Sequence, residues 1–453
     1  MKKSIILAYS LYYTVTISIL YFVFVGFPLW DGFFYWLWKA IRNSQLKYGY
    51  LLFIVLEASF TFLPIVFYRR RHVNKEKVKC GDNIALIIPC HKAEKIIKNT
   101  LEEALKVFDA KNIYVIDNGN SDVPLDNTSS ICQEMGINYK WVPVGGKLYA
   151  IYVGSKITEQ YEFVMQIDDD VFLNDDMTFP VNENTHCIAY TISASNHKGE
   201  KQVIHHLQDM EYKHAGIIKG FQSLVGSTMF AHGAISLWRR STLVNVLENH
   251  IMYSMSDDWF TGFKANELGY KIDVCDRNFV DTDVPSTFFT KSREGGYGDA
   301  TLFSQRFGRW YRTRLIQIFY MLYYCVFSWK LPLRIAIVQK LFFLWDIFNS
   351  LLSFSKIYMF IFYVIYDWRF TMIMFAASIG LSMIGFLIFN YYQLKKDERL
   401  PIWVMFLFPV YALYESVVFL MAVLYSIVVN PQVLFHRGEK LSDNEKLKNV
   451  ISN

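Results

Sequence analysis

Residues 83–119, NIALIIPCHKAEKIIKNTLEEALKVFDAKNIYVIDNG, carry the reading on which the fold rests. Two short β-branched runs, NIALIIPC and NIYVIDNG, end in turn-forming residues, and KAEKIIKNTLEEALKVF between them places apolar residues at helical spacing. Strand, helix, strand in that order predicts a parallel α/β sheet, whose loops at the carboxyl ends of the strands are available to ligands. Asp117 stands at one such end, followed by Asn118 and Gly119. An acid there can accept hydrogen bonds from a nucleobase or ribose; an Asx-turn that merely closes the strand uses the same residues.

On either side of this region the sequence turns apolar. The 453-residue chain is 53% hydrophobic with a formal charge of +5, a high apolar share for a purely soluble protein, so a membrane part is expected. After Met1-Lys2-Lys3, residues 5–29 are almost uncharged and exceed the ~20 residues that a bilayer core requires. They are too long for a signal-peptide apolar region and lack a small-residue cleavage site, which favours a retained helix. A second apolar segment, 48–68, runs into RRRHVNKEKVK, a cluster that the positive-inside rule keeps cytoplasmic, so both ends of the hairpin lie inside. Apolar segments return at 341–366, 371–391 and 402–429, whereas YRTRLIQIFYMLYYCVFS (311–328) mixes arginines with aromatics like an interfacial helix. Five spans are expected, or six if a segment breaks at Pro409 or Glu415. The resulting partition is two amino-terminal helices (1–70), a cytoplasmic domain (80–310), an interfacial helix with three spans (311–435) and a loosely ordered polar tail (436–453).

The positive charge sits in clusters flanking apolar stretches, and no motif or aromatic-basic groove pattern accompanies it, so nucleic acid is not an expected partner. Cys80, Cys90, Cys132, Cys187, Cys275 and Cys325 lack C-x-x-C spacing and read as reduced thiols, with neither a zinc site nor a disulfide framework.

Within the central domain, YEFVMQIDDDVFL (161–173) carries Asp168, Asp169 and Asp170 straight after an apolar run. Adjacent acids disfavour one another's ionised form and need water, donors or a cation. Asp168 and Asp170, one residue apart, suit a divalent ion that also binds diphosphate oxygens; a solvated acidic turn is the plainer alternative. In SMSDDWFTGF (254–263), Asp257 and Asp258 precede a helix, where a carboxylate can take a proton from an acceptor hydroxyl or simply cap the helix with Ser256. In SQRFGRWYR (304–312), Arg306 and Arg309 can neutralise a diphosphate and Trp310 can stack on a sugar, unless the cluster is only an interfacial anchor.

The order of these elements is more specific than any one of them. Asp117, Asp168/Asp170, Asp258 and the Arg306, Arg309, Trp310 cluster, set between apolar hairpins, resemble the D, D-x-D, (T/S/G)-(E/D)-D, (Q/R)-x-x-R-W series of processive family-2 glycosyltransferases such as cellulose, chitin and hyaluronan synthases. IIPCHKAEKI (87–96) is similar to that family's first-strand segment, with Pro89 and Glu94 in corresponding places and His91 where an aromatic usually stands. GGKLYAIYVGSK (145–156) places Lys147 like the basic residue after the nucleotide strand, and HGAISLWRR (232–240) looks like the acceptor segment, with Gly233 and Ala234 letting a sugar approach the backbone. KSREGGYGD (291–299) resembles a loop over the nucleotide. The wording of IDNGNS, VPVGGK and SDDWFTG is similar to hyaluronan-synthase-like proteins of eukaryotes and their viruses.

The resemblance implies a GT-A type α/β domain, with a mixed, mostly parallel sheet and flanking helices, inserted between α-helical membrane segments. It implies a UDP-sugar donor, a growing polysaccharide acceptor, a Mn2+ or Mg2+ cofactor, and a plasma-membrane protein that extrudes its β-linked product. Asp117 and His91 would hold the uridine, and Pro89, Glu94 and Asp169 line the donor site. Asp168 and Asp170 would carry the metal, and Lys147, Arg306 and Arg309 would offset the charge of departing UDP. Asp258, or else Asp257, is the expected base, with Trp310 at the acceptor end. Two departures stand out: Arg306 occupies the first motif position with Gln305 displaced by one, and no W-G-T type gating sequence follows. A lipid glycosyltransferase similar to ceramide glucosyltransferase shares the series, and a catalytically dead polysaccharide-binding membrane protein is the alternative from outside the enzymes.

Overall fold

The computed structural model describes residues 62–70, 81, 83–196, 199–250, 256–291, 300–430 and 440–452, with isolated positions before residue 59. The first expected membrane helix, most of the basic cluster after residue 68, and residues 292–299 of the glycine-rich stretch lie outside them. In chain order the central domain runs β1 (Ile84–Cys90), α1 (Ile97–Val107), β2 (Ile113–Asn118), α2 (Thr128–Glu134), β3 (Asn138–Val142), α3 (Lys147–Ile157), β4 (Phe163–Ile167), β5 (Val171–Phe172), β6 (Cys187–Ser195), α4 (Val203–Val225), β7 (Ile235–Arg239), α5 (Arg240–Glu248), α6 (Asp257–Leu268) and β8 (Ile272–Asp283).

The sheet order is β3-β2-β1-β4-β7-β6-β8-β5. β3, β2, β1 and β4 are parallel, as the opening strand-helix-strand unit predicts. β7 runs antiparallel to β4 and β6, β6 pairs parallel with β8, and β5 adds antiparallel to β8. Every residue of β1 is buried, which is why IALIIPC lacks alternation: both faces of this strand are covered. On one face α1 presents Ile97, Leu101 and Ala104, spaced four and three apart, to the core. On the other lies α3, where a Cβ on Gly154 would fall 2.8 Å from the Ile87 side chain, so only glycine permits this helix-to-sheet approach.

Beyond the domain, α7 (Arg314–Phe327) is short and apolar, and α8 (Leu333–Tyr392) is broken at Asp367, whose φ of −153° and ψ of 86° are not helical. Asp367 accepts from the Phe370 amide at 3.1 Å and so starts the second limb. Leu333–Ser353, Asp367–Tyr392 and α9 (Ile402–Val428) are long and apolar enough to cross a bilayer. The first limb starts at Leu333 rather than near residue 341 because the buried Lys340 ammonium is satisfied by the carbonyls of Tyr324 (2.9 Å) and Cys325 (2.7 Å).

The tail differs from expectation. Residues 445–452 form α10 (Glu445–Ser452), and Leu441 and Leu447 are fully buried in the core cluster that holds α3 and α5, with Val450 and Ile451 packed beside them. Leu447, Val450 and Ile451 sit three and four residues apart, an apolar stripe that overall polarity hides. The described cysteines, Cys90, Cys132, Cys187, Cys275 and Cys325, are buried.

Candidate active site

The parallel strands deliver their carboxyl ends to one edge. At the end of β2 the Asp117 side chain is buried; Oδ2 accepts from the Tyr139 hydroxyl at 3.0 Å, and Oδ1 has no partner among the described residues. Burial raises the Asp117 carboxyl above its ordinary range, against the pull of the Tyr139 hydrogen bond. Asn118 ties the neighbouring loops together: Nδ2 donates to the Cys90 carbonyl at 2.6 Å and Oδ1 accepts from the Gly146 amide at 2.8 Å. His91 Nδ1 lies 2.5 Å from the Asn118 carbonyl, which sets the ring beside Asp117's loop, and Lys92 next to it holds a left-handed φ of 55°.

At the end of β4 the three acids diverge. Asp168 forms an ion pair with Lys147, the first residue of α3. Asp169 turns its carbonyl to the Thr100 hydroxyl at 2.6 Å; burial and then Asp168 push its carboxyl up to about 7. Asp170 is 3% exposed and its Oδ1 has no partner among the described residues. Its carboxyl is raised well above the carboxylate range by burial first, then by Asp169 and Asp168. A buried acid beside two others, with one oxygen unsatisfied, is the donor set that a hard divalent cation relieves. Asp168 and Asp170 therefore fit Mn2+ or Mg2+. Among the described residues no group of three or more His, Cys, Asp or Glu side chains is placed to hold a metal.

The start of β7 is drawn against these acids. The Asp168 amide donates to the Ala234 carbonyl at 2.9 Å, Lys147 Nζ donates to the Gly233 carbonyl at 2.9 Å, and the Gly233 amide donates to Asp258 Oδ2 at 3.2 Å. One lysine thus touches the acidic triplet and the segment next to Asp258. A Cβ on Gly233 would fall 3.2 Å from the Asp258 Cβ, so the two chains meet at nearly the closest approach a side chain allows. Asp257 and Asp258 open α6 after Ser256, which holds a left-handed φ of 55° and makes no side-chain cap; its hydroxyl lies 3.4 Å from the Arg309 carbonyl. The capping alternative thus fails for Ser256. Asp258 Oδ1 accepts from the Trp259 amide at 2.8 Å. Its carboxyl is raised by burial and by Asp257, and held down by Lys219 and Lys147. A small open cleft adjoins Lys147, Gln166, Gly233, Asp257, Asp258 and Thr261.

Three sequence-predicted residues sit elsewhere. Glu94 is exposed and holds the loop ahead of α2, accepting from the Asn127 amide (3.2 Å) and side chain (3.3 Å). Pro89 is buried within β1, paired in register with Ile116. Arg306 does not reach out as a diphosphate ligand: it is fully buried, ion-paired to Glu211 at 2.6 Å and Glu415 at 3.2 Å, and its guanidinium lies 3.7 Å from the Trp310 ring centroid. A charge with no water must be matched by carboxylates, and two are supplied. Arg309 is exposed, and Trp310 stacks near-parallel to Tyr212 with centroids 6.3 Å apart. Tyr139, Lys219, Glu211 and Glu415 were not foreseen; an acid within an apolar stretch is itself a signal that could have flagged Glu415.

Residues 82–313, about half of the chain, match the protein family described as Glycosyltransferase like family 2. The chain is 26% identical over 206 residues to a poly-beta-1,6-N-acetyl-D-glucosamine synthase of Staphylococcus epidermidis, covering 43% of this chain and 49% of the relative. It is 25% identical over 244 residues to the enzyme of that name from Staphylococcus aureus (strain COL), covering 50% and 58%. The chain thus spans about half the length of these curated relatives. Among solved structures, the mannosyltransferase PcManGT from Pyrobaculum calidifontis in complex with GDP-Man and Mn2+ superposes with a TM-score of 0.44 at 14% identity, over 84% of this chain and 97% of that one. S. aureus TarS 1-349 in complex with UDP-GlcNAc gives 0.38 at 15%, over 76% and 91%. With its GT-A type sheet and the family match across the whole catalytic region, the chain belongs to the glycosyltransferase family 2.

Proposed function

We propose that this chain adds sugars from a UDP-sugar to a growing β-linked polysaccharide, with inversion, and passes the product through its own membrane helices. One observation carries the reading: Lys147 bridges Asp168 and the Gly233 carbonyl while Asp258 holds the Gly233 amide, so donor and acceptor sides share one edge of the sheet. Asp117 Oδ1, buried and unpartnered, is the acceptor for a uracil N–H, and His91 flanks the base. Asp168 and Asp170 would hold the divalent ion, which when bound would offset diphosphate charge. Lys147 and the exposed Arg309 neutralise the departing UDP. Asp258 takes the proton of the acceptor hydroxyl as that oxygen attacks the anomeric carbon; the glycosidic bond to UDP breaks with its electron pair leaving on the diphosphate, and the proton stays on Asp258.

Both ends of α8 pack on the catalytic domain: Gln339 reaches the Thr228 carbonyl at 3.4 Å, and Glu398, just past Tyr392, pairs with Arg70 and accepts Lys213 at its carbonyl. Phe360 and Phe375, on either side of Asp367, meet at 5.3 Å, as the limbs of a hairpin do. α9 spans about 40 Å, yet Trp403 meets His206, Tyr411 meets Glu211, and Ser426 bonds the Arg312 carbonyl, all on the domain side. α10 docks there too. We read α8 as two crossings and α9 as lying along the cytoplasmic membrane surface, its outward Phe406, Val410 and Val428 in lipid.

The test is a panel of UDP-sugars given to the purified protein with Mn2+ or Mg2+, starting with UDP-N-acetylglucosamine because the relatives are named for its polymer. Long products with UDP release are expected, and Asp258→Asn should keep UDP binding while losing turnover. A single sugar added per acceptor, or a glycolipid product, would contradict the polymerase.

A further inference from the structure

Arg306 was expected among the phosphate ligands, and its burial leaves it another task. Nε donates to Glu415 Oε1 at 3.2 Å, Nη1 to Gln305 Oε1 at 3.1 Å, and Nη2 to Glu211 Oε2 at 2.6 Å and to the Tyr411 hydroxyl at 3.2 Å. The carboxylates are themselves fixed: the Tyr411 hydroxyl donates to Glu211 Oε2 at 2.6 Å, and the Tyr311 hydroxyl to Glu415 Oε2 at 2.5 Å. The guanidinium plane then carries the Trp310 indole at 3.7 Å, with Tyr212, the residue after Glu211, stacked on the same indole. The tryptophan is thus held from α4 by Glu211 and Tyr212 and from α9 by Glu415, through one arginine.

We propose that Glu415, acting through Arg306, is a positioning residue that sets the Trp310 indole for the acceptor sugar and so couples α9 to chain elongation. The inference rests on the reading of Trp310 as an acceptor platform. A buried guanidinium that loses one of two carboxylates shifts toward the other, and here that means toward α4 and Glu211, taking its stacked indole with it. On the donor side, Asp117, the acidic triplet and Lys147 make none of these contacts, and Arg309, next to Trp310, is the one donor-side group close to them. Glu415→Gln keeps the shape and one acceptor oxygen while removing the charge, so the defect should appear on the acceptor side alone.

The experiment uses the full-length protein in detergent with UDP-N-acetylglucosamine as donor probe and a β-linked N-acetylglucosamine tetramer as acceptor probe. Donor hydrolysis without acceptor and UDP binding report the donor side; acceptor KM and product length report Trp310. For Glu415→Gln we expect about a tenfold rise in acceptor KM and shorter product, with donor hydrolysis and UDP affinity within twofold of wild type. Tyr311→Phe, which removes only the hydroxyl on Glu415, should shift acceptor KM the same way by less, and it keeps the test alive should the first variant not fold. Arg306→Gln combined with Glu415→Gln should be less impaired than the two single effects combined, because the second change removes one of the two carboxylates that the first leaves unmatched. An unchanged acceptor KM in the folded variants, or an equal loss on donor and acceptor sides, overturns the proposal. Wild-type protein that neither binds UDP nor hydrolyses the donor overturns the proposed function itself.

Discussion

Replacing Asp117 by Asn separates binding from folding at a single atom. Oδ1 of Asp117 is buried with no partner, while Oδ2 accepts the Tyr139 hydroxyl. If that lone oxygen receives a uracil N–H, the bond is charge-assisted and contributes about 1.5–3 kcal/mol. Asn with its oxygen on Tyr139 would turn an NH2 toward the base, donor against donor; with the amide flipped it loses only the charge. UDP affinity should therefore fall by about 10- to 150-fold. Stability should move the other way. The folded carboxyl is raised by burial, so the fold binds that proton more tightly than the unfolded chain does and is weakest, through this group, above the raised value. A neutral amide removes that penalty, and Tm at pH 7.5 should be unchanged or higher. Calorimetry with UDP and thermal unfolding on one preparation check both. An Asn variant that binds UDP within threefold of wild type, or that unfolds several degrees earlier, refutes the assignment.

Further outcomes follow from the same contacts. Asp258 must be ionised to act as base, so turnover should fall as pH drops through its raised value; Lys219→Met, which removes a nearby positive charge, should move that acid limb to higher pH, and Asp257→Asn should move it lower. Lys219 itself is pushed down to about 7 by burial, whereas an arginine stays charged at every pH, so Lys219→Arg should not move the acid limb to higher pH as Lys219→Met does; pH profiles of kcat read all three. Cysteines placed at the exposed Lys396 and Glu445 should react with a membrane-impermeant maleimide from the same side, the native described thiols being buried; labelling from opposite sides would make α9 a crossing. Gly262→Ala should lower Tm and activity together, since the added Cβ falls 2.4 Å from the Phe230 Cα, backbone that cannot rotate away, at a cost of about 1–3 kcal/mol.

Periodicity made the first half-sheet legible: β1, α1 and β2 are local elements whose apolar spacing matches their burial. Asp117 and the acidic triplet were legible for the same reason, since charges at the end of buried strands announce themselves. The antiparallel placement of β7 between β4 and β6 was not, because strand order is set by long-range pairing that no local run encodes. Lys219 was invisible because a lysine in an amphipathic helix reads as solvated, whereas here it donates to the Phe230 carbonyl at 2.9 Å and sits over that ring. Arg306 misled for a related reason: motif position says which residue type occurs, not which way a long side chain turns, and only the fold brings Glu211 and Glu415 to it. The tail misled because its charged residues outnumber the few leucines that dock it.

UDP should enter this site together with a divalent ion. Titration calorimetry of the purified protein with UDP, with Mn2+ present and then with the ion chelated, measures that directly. Saturable uptake of one UDP per chain that weakens at least tenfold on chelation is the predicted result; no uptake under either condition, in protein that unfolds cooperatively, would contradict it.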